Sequence, residues 1–283
     1  MSETPVVLCA DDYAMNGGID EAILDLAARG RISATSCMTN APGWPAAAAR
    51  LRELDGRIGV GLHLTLTWGA PLGRMPGLAP DRAFPTLGRL LSRSSRGGFG
   101  PGEVAAEVAR QLRAFVAALG RPPDFVDGHQ HVHVLPGIRG PLLGVLAGAG
   151  LGGRLWLRDP SDRPASILAR RLSAGKALFV GALATGFRAG AERAGFTANR
   201  GFSGFGPFDP GRDPGPDMAA HLDALGPAPV VMCHPGVESP ADAADEIAAA
   251  RHREAAYLCS SAFADLLARR AISLVPAPRE RAA

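Results

Sequence analysis

Short runs of Val, Ile, Leu and Cys alternate with longer Ala/Leu-rich segments along the whole chain. The runs predict strands over residues 6–9, 32–38, 58–66, 125–132, 154–157, 229–233 and 272–275, with a further one near 198–205. The segments between them predict helices over 19–28, 44–54, 103–119, 138–149, 165–194 and 217–225, and a last helical stretch over 241–270 that a break could divide. The helical spacing is clearest in 103–119, where Val104, Val108, Leu112, Phe115, Val116 and Leu119 recur every three or four positions. Strand–helix alternation of this kind predicts a parallel sheet covered by helices. About eight such units fit an α/β architecture of the (β/α)₈ type, a TIM-like barrel that tolerates irregularity, for which roughly 250 residues is typical. The expectation is one such domain over residues 1–283.

A doubly wound open sheet is the competing architecture. Two features favour the barrel. Reactive side chains stand at the carboxyl ends of several apolar runs, where a barrel gathers them at one mouth. No G-x-G-x-x-G turn follows the first run, where a dinucleotide fold carries it. Two stretches resist assignment: 69–102, rich in Gly, Pro, Arg and Ser, and 197–216, which carries Phe202, Phe205 and Phe208. Long irregular segments in a compact domain are commonly functional loops. The second is therefore read as substrate-facing, with loop-anchoring phenylalanines as the plainer alternative.

Composition narrows the class. A hydrophobic content of 47% describes a globular chain, and a net charge of +3 implies no general attraction to nucleic acid. Lys176 is the only lysine, and the arginines are scattered. Cys9, Cys37, Cys233 and Cys259 are far apart and form no C-x-x-C pair, which fits a reducing cytoplasm rather than a disulfide framework. Residues 1–5 lack the basic region and apolar core of a signal peptide. The longest apolar stretches, such as 177–187, are too short and Gly-interrupted to span a bilayer, so no transmembrane segment is expected.

The candidate chemistry lies at the ends of the runs. Asp127-Gly128-His129-Gln130-His131-Val132-His133 holds three of the seven histidines. In an extended strand these three would share one face. The first run ends in Asp11-Asp12; neighbours in an extended segment point in opposite directions, so the two acids are expected to have different jobs. His63 stands within Gly61-Leu62-His63-Leu64-Thr65, and His234 follows Val230–Cys233 just before Pro235-Gly236. Asp12 and His63, with one histidine of the cluster, complete a two-histidine, one-carboxylate set, the pattern of a catalytic metal with open positions. The residues do not say whether His129, His131 or His133 supplies the third ligand. His234 is placed to exchange a proton across the mouth, or is simply a turn histidine. Arg158 and Asp159 end another run, where Arg158 can orient an acid or form a plain rim ion pair. Asp127 and Asp159 are candidates to orient an imidazole. His221 and His252 are expected at the surface.

Taken in order, Ala10-Asp11-Asp12-Tyr13, Val60-Gly61-Leu62-His63-Leu64, Asp127-Gly128-His129-Gln130-His131-Val132-His133 and Met232-Cys233-His234-Pro235 resemble the YdjC/ChbG-like (HpnK-related) carbohydrate deacetylases. The similarity extends through Gly69-Ala70-Pro71-Leu72, Met75-Pro76-Gly77-Leu78, Gly120-Arg121-Pro122-Pro123 and Gly201-Phe202-Ser203, over roughly residues 6–275. The resemblance implies a barrel-like, metal-dependent hydrolase removing acetyl from an N-acetylated sugar or glycoconjugate. It also implies one divalent ion, Mg²⁺ or Zn²⁺, held by Asp12, His63 and His129. By the same resemblance Asp11 is the general base and a homodimer is expected; His234, or else His131 or His133, is expected to protonate the leaving amine. His131, His133, Asp127, Arg158 and Phe202 are expected to bind substrate or support the ligands. One departure stands out: Tyr13-Ala14-Met15-Asn16-Gly17-Gly18 replaces the family's usual Phe/Tyr-Gly-Leu-Ser turn, which bears on substrate choice. Two other readings share the metal set: a metallophosphohydrolase, and a non-catalytic metal-binding partner in a biosynthetic pathway.

Overall fold

The computed structural model describes residues 3–54, 56–96 and 100–280. Residues 1–2 of the start read above, and 97–99 of the first irregular stretch, lie outside these. The chain begins with β1 (Thr4–Tyr13), α1 (Gly17–Ala28), β2 (Ala34–Cys37), α2 (Trp44–Leu51) and β3 (Gly59–Leu64). It continues with α3 (Leu87–Ser95), α4 (Pro101–Leu119), β4 (Phe125–Gly128), α5 (Arg139–Gly148) and β5 (Trp156–Leu157). Next come α6 (Pro164–Arg170), α7 (Ala174–Leu183), α8 (Phe187–Arg193), β6 (Thr197–Ala198) and β7 (Phe202–Ser203). The last part is α9 (Pro214–His221), β8 (Val230–Cys233), α10 (Ala248–Cys259), α11 (Ser261–Arg269) and β9 (Ile272–Leu274).

The pairings between these strands are parallel, and the sheet runs β6-β5-β4-β3-β2-β1-β8-β7, with β9 beside the first residues of β1. The two ends of that order, β6 and β7, are consecutive in the chain with three residues between them. Three residues span only about 10 Å, far too few for a crossover. The two strands therefore run on as one kinked strand that leaves β5 and joins β8, which curls the sheet into a barrel. Asn199 secures the kink. Its Nδ2 donates to the carbonyls of Asp159 and Gly201 at 2.9 Å, and its Oδ1 accepts from Asp159 N at 2.7 Å.

The interior of the barrel is layered. Val7, Cys9, Ala34, Phe125, Trp156, Phe202, Val230 and Met232 form one buried cluster, distinct from the larger cluster between sheet and helices. Strand alternation puts these residues on the inner face, and the residues two further along then also point inward. On β1 that residue is Asp11, on β2 Ser36, on β4 Asp127, after β5 Arg158, and after β8 His234. An apolar floor thus gives way to a charged layer toward the mouth. Phe125 and Trp156 stack at 4.4 Å to make the floor. Gly61 makes room for them, since a Cβ there would stand 2.4 Å from the Phe125 ring.

Several sequence expectations are revised. The single helix expected over 165–194 is three helices, because Arg171, Ser173 and Gly186 adopt left-handed backbone between them. The irregular stretch 69–102 contains α3. The strand expected through 132 stops at Gly128. Asn16 caps α1, its side chain accepting from Ile19 N at 3.0 Å. Among the described residues no helix is long and apolar enough to cross a membrane.

Candidate metal centre

Two departures from regular strand geometry assemble the site. β1 remains extended through Asp11, whose side chain enters the barrel, but Asp12 has φ 71°. That left-handed turn brings the second carboxylate to the mouth as well, so the two acids do not point to opposite faces as the alternation predicted. After Gly128 the chain leaves the strand for a 3₁₀ turn over His129–Val134, with Gln130 and His131 at φ 53° and 59°. The three histidines therefore diverge instead of sharing one face.

His129 turns to Asp12, with Nδ1 2.9 Å from Asp12 Oδ1. His63 presents Nε2 to the same oxygen at 3.3 Å. Candidate ligand atoms of Asp12, His63 and His129 all lie within 4.8 Å of one another. His131 instead packs edge-on against Phe202 and Phe205, at ring separations of 5.6 and 5.2 Å. His133 packs against Phe187 and donates Nε2–H to the Arg158 carbonyl at 2.7 Å. Burial pushes both of these rings down, His133 to about 4, so they are neutral.

Buried charges hold the three candidate ligands. His63 Nδ1 donates to Asp127 Oδ1 at 2.7 Å, which leaves Nε2 free for the mouth. Burial opposes a charge on His63, yet Asp127 and the hydrogen bond to Asp12 raise its pKa to about 10. Arg158 grips both oxygens of Asp11 at 2.6 and 2.7 Å and reaches Asp127 Oδ2 at 2.6 Å. Burial disfavours the Asp11 carboxylate, but Arg158 outweighs it and holds the group well below the usual range. Ser36 Oγ donates to Asp11 Oδ1 at 3.3 Å and lies 2.9 Å from His63 Nδ1. Asp12 turns its other oxygen to Arg251, which donates to Oδ2 at 2.6 Å and also pairs with Asp245 at 2.7 Å.

This donor set fits a divalent cation. Asp11, Asp12, Asp127 and Asp245 face only two guanidiniums, Arg158 and Arg251, so once His63 is neutral, as a ligand must be, the buried cluster carries an excess of two negative charges. A carboxylate oxygen and two imidazole nitrogens suit Zn²⁺ and related ions. Cys9, Asp11 and Asp127 also cluster, but Arg158 already occupies that position.

The remaining expected residues fall around this centre. His234 has its ring 5.1 Å from Phe208, and its backbone N–H donates to Glu254 at 2.7 Å. Burial lowers the His234 pKa to about 4 against the pull of Asp12 and Asp11. Phe202 is buried behind the site, with the Arg158 guanidinium 5.7 Å from its ring centre. Asp159 meets Asn199 and Ser161 through hydrogen bonds and orients no imidazole. His221, expected at the surface, is buried and accepts from Gly204 N at 3.3 Å. Arg251, Ser36 and Glu254 are new to the site. Arg251 sits in Ala-Arg-His-Arg-Glu-Ala-Ala, which reads as a solvated helix face and gives no signal in sequence.

The chain matches the YdjC-like protein family over residues 5–269 and belongs to that family. A chitooligosaccharide deacetylase of Serratia marcescens is 36% identical over 137 residues, which is 48% of this chain and 53% of that protein. The chitooligosaccharide deacetylase of Enterobacter sp. strain 638 is 37% identical over 134 residues, 47% of this chain and 52% of that one. The chain thus spans about half the length of the curated relatives it matches. Among solved structures, a protein of Enterococcus faecalis V583 named for cellobiose-phosphate cleavage aligns with a TM-score of 0.71 at 19% identity. That alignment covers 97% of both chains, a likeness of fold.

Proposed function

We propose that this protein is a metal-dependent carbohydrate deacetylase that hydrolyses the acetamide of an N-acetylated sugar. The observation carrying this reading is the convergence of Asp12, His63 and His129 within 4.8 Å, beside an acid that stays ionised. The chitooligosaccharide deacetylases matched over nearly half the chain support the substrate class. Asp12, His63 and His129 would hold one divalent ion, Zn²⁺ or Mg²⁺. Such an ion supplies Lewis acidity toward a carbonyl oxygen and an acidified water.

The chain's own groups supply the rest. Asp11, kept charged by Arg158, accepts a proton at its carboxylate as water attacks. Arg158 fixes the direction of that carboxylate with two parallel hydrogen bonds. His234 starts neutral, and donates to the departing sugar amine only after a proton reaches its ring, a charge that Asp12 and Asp11 favour. Asp127, paired with His63 Nδ1, orients the ring so that Nε2 faces Asp12. The unpaired cysteines suit a reducing cytoplasm, where this reading locates the enzyme.

The test is acetate release from a panel of chitooligosaccharides and other N-acetylated sugars, using chelated, metal-restored and His129→Ala protein. The reading expects release that disappears on chelation, returns with metal and is lost in the variant. Undiminished release from His129→Ala protein, or no release from any sugar by metal-loaded protein, would sink it.

A further inference from the structure

Among the described residues, three large apolar side chains stand open to water on two consecutive short helices. Leu168 of α6 is 57% exposed, and Leu178 and Phe179 of α7 are 38% and 55% exposed. The inner face of α7 is apolar too, with Ala177 and Val180 buried, and Lys176 is the one charged side chain on this helix. It overlaps the apolar stretch 177–187 that is too short to span a bilayer. A helix of a globular protein normally keeps a polar outer face.

The same surface carries more cations than acids, although Asp162 and Glu192 line the hollow shared by Leu178 and Arg188. Between Arg163 and Ala191 the sequence has no Asp or Glu, and Arg163, Arg171, Lys176 and Arg188 are exposed. Arg170 is the exception, buried and paired with Asp162. The face also borders the mouth: Lys176 Nζ lies 4.6 Å from the Phe208 ring centre, and that ring lies 5.1 Å from His234. A second copy of the chain is a poor occupant, because a twofold contact would press two cationic faces together. A surface both apolar and cationic matches an interface of apolar chains beneath anionic headgroups.

We propose that the α6–α7 face docks on a membrane surface carrying anionic lipids. Leu168 and Phe179 enter the acyl boundary, while Arg171 and Lys176 meet lipid phosphates. The docking does not depend on the hydrolytic reading, and it sets the mouth beside the membrane.

Sedimentation of the full chain with vesicles tests this, comparing phosphatidylcholine alone with phosphatidylcholine containing phosphatidylglycerol. Circular dichroism and thermal unfolding establish that each variant is folded. The protein is expected to sediment with the anionic vesicles only, and less as salt is added. Leu168→Ser/Phe179→Ser and Arg171→Glu/Lys176→Glu should each weaken partitioning by about tenfold or more. Failure to bind anionic vesicles overturns the proposal, as does binding unaffected by both double variants. A wild-type dimer in solution that dissociates on Phe179→Ser would also overturn it, and would assign the face to self-association.

Discussion

Arg251→Met removes a guanidinium that the candidate metal centre depends on without altering any of the three ligands. Arg251 is 3% exposed, and it joins Asp12 at 2.6 Å to Asp245 at 2.7 Å. Methionine fills much of the space but leaves one oxygen each of Asp12 and Asp245 buried without its guanidinium partner. Breaking a buried pair from one side costs about 3–5 kcal/mol, and in a chain of this size that lowers Tm by roughly 10 °C. Asp12 also loses the bond that holds its free oxygen toward the histidines. Loss of such a supporting contact lowers metal affinity by roughly 10- to 100-fold. Two assays separate these effects: thermal unfolding with chelator present, and calorimetric titration of the folded protein with Zn²⁺ at low temperature. Arg251→Lys keeps the charge but cannot bridge both acids, so an intermediate result is expected. Wild-type stability together with wild-type affinity in Arg251→Met would refute the reasoning, because Asp12 would then need no partner.

Three further outcomes are expected. Asp20 is buried and accepts from Ala14 N at 2.6 Å; burial raises its pKa to about 6, so its contribution to stability is lost as pH rises through that value. Asp20→Asn should therefore stabilise the protein by about 1–3 kcal/mol at pH values above 6 and by almost nothing near pH 4, which urea unfolding at several pH values would show; an equal effect at every pH would refute it. Asn199→Leu leaves partners of three buried hydrogen bonds unmatched at the barrel seam and should cost about 3 kcal/mol or more by urea unfolding. Gly61→Ala puts a methyl 2.4 Å from Phe125, so about 1–3 kcal/mol of destabilisation and a changed near-ultraviolet signal from the Phe125–Trp156 stack are expected.

Much of the frame is legible in the sequence because buried parallel strands leave plain apolar runs. Val6 to Cys9, Val230 to Cys233 and the helical spacing of Val104 to Leu119 mark their elements directly, and their ends locate Asp11, His63, Asp127, Arg158 and His234. Backbone departures were not legible. Nothing in Asp11-Asp12 announces a left-handed Asp12, and His129, His131 and His133 alternate as a strand would until the turn after Gly128 separates them. Long-range pairing was equally silent: Arg251 gains its meaning only when α10 packs over the end of β1. The kinked strand at 197–203 is hidden for a related reason, since Asn199 does its work through contacts with Asp159 and Gly201.

The two adjacent aspartates are neutralised by arginines that arrive at very different times during synthesis. Arg158 follows Asp11 by 147 residues, while Arg251 follows Asp12 by 239. At typical elongation rates the second interval lasts roughly 10–50 seconds. A nascent chain therefore carries both histidines and both acids long before the last guanidinium has been made. Arg251 joins that site only when α10 emerges. The partner that completes the pairing of Asp12 thus lies far later in the chain than any of the three candidate ligands.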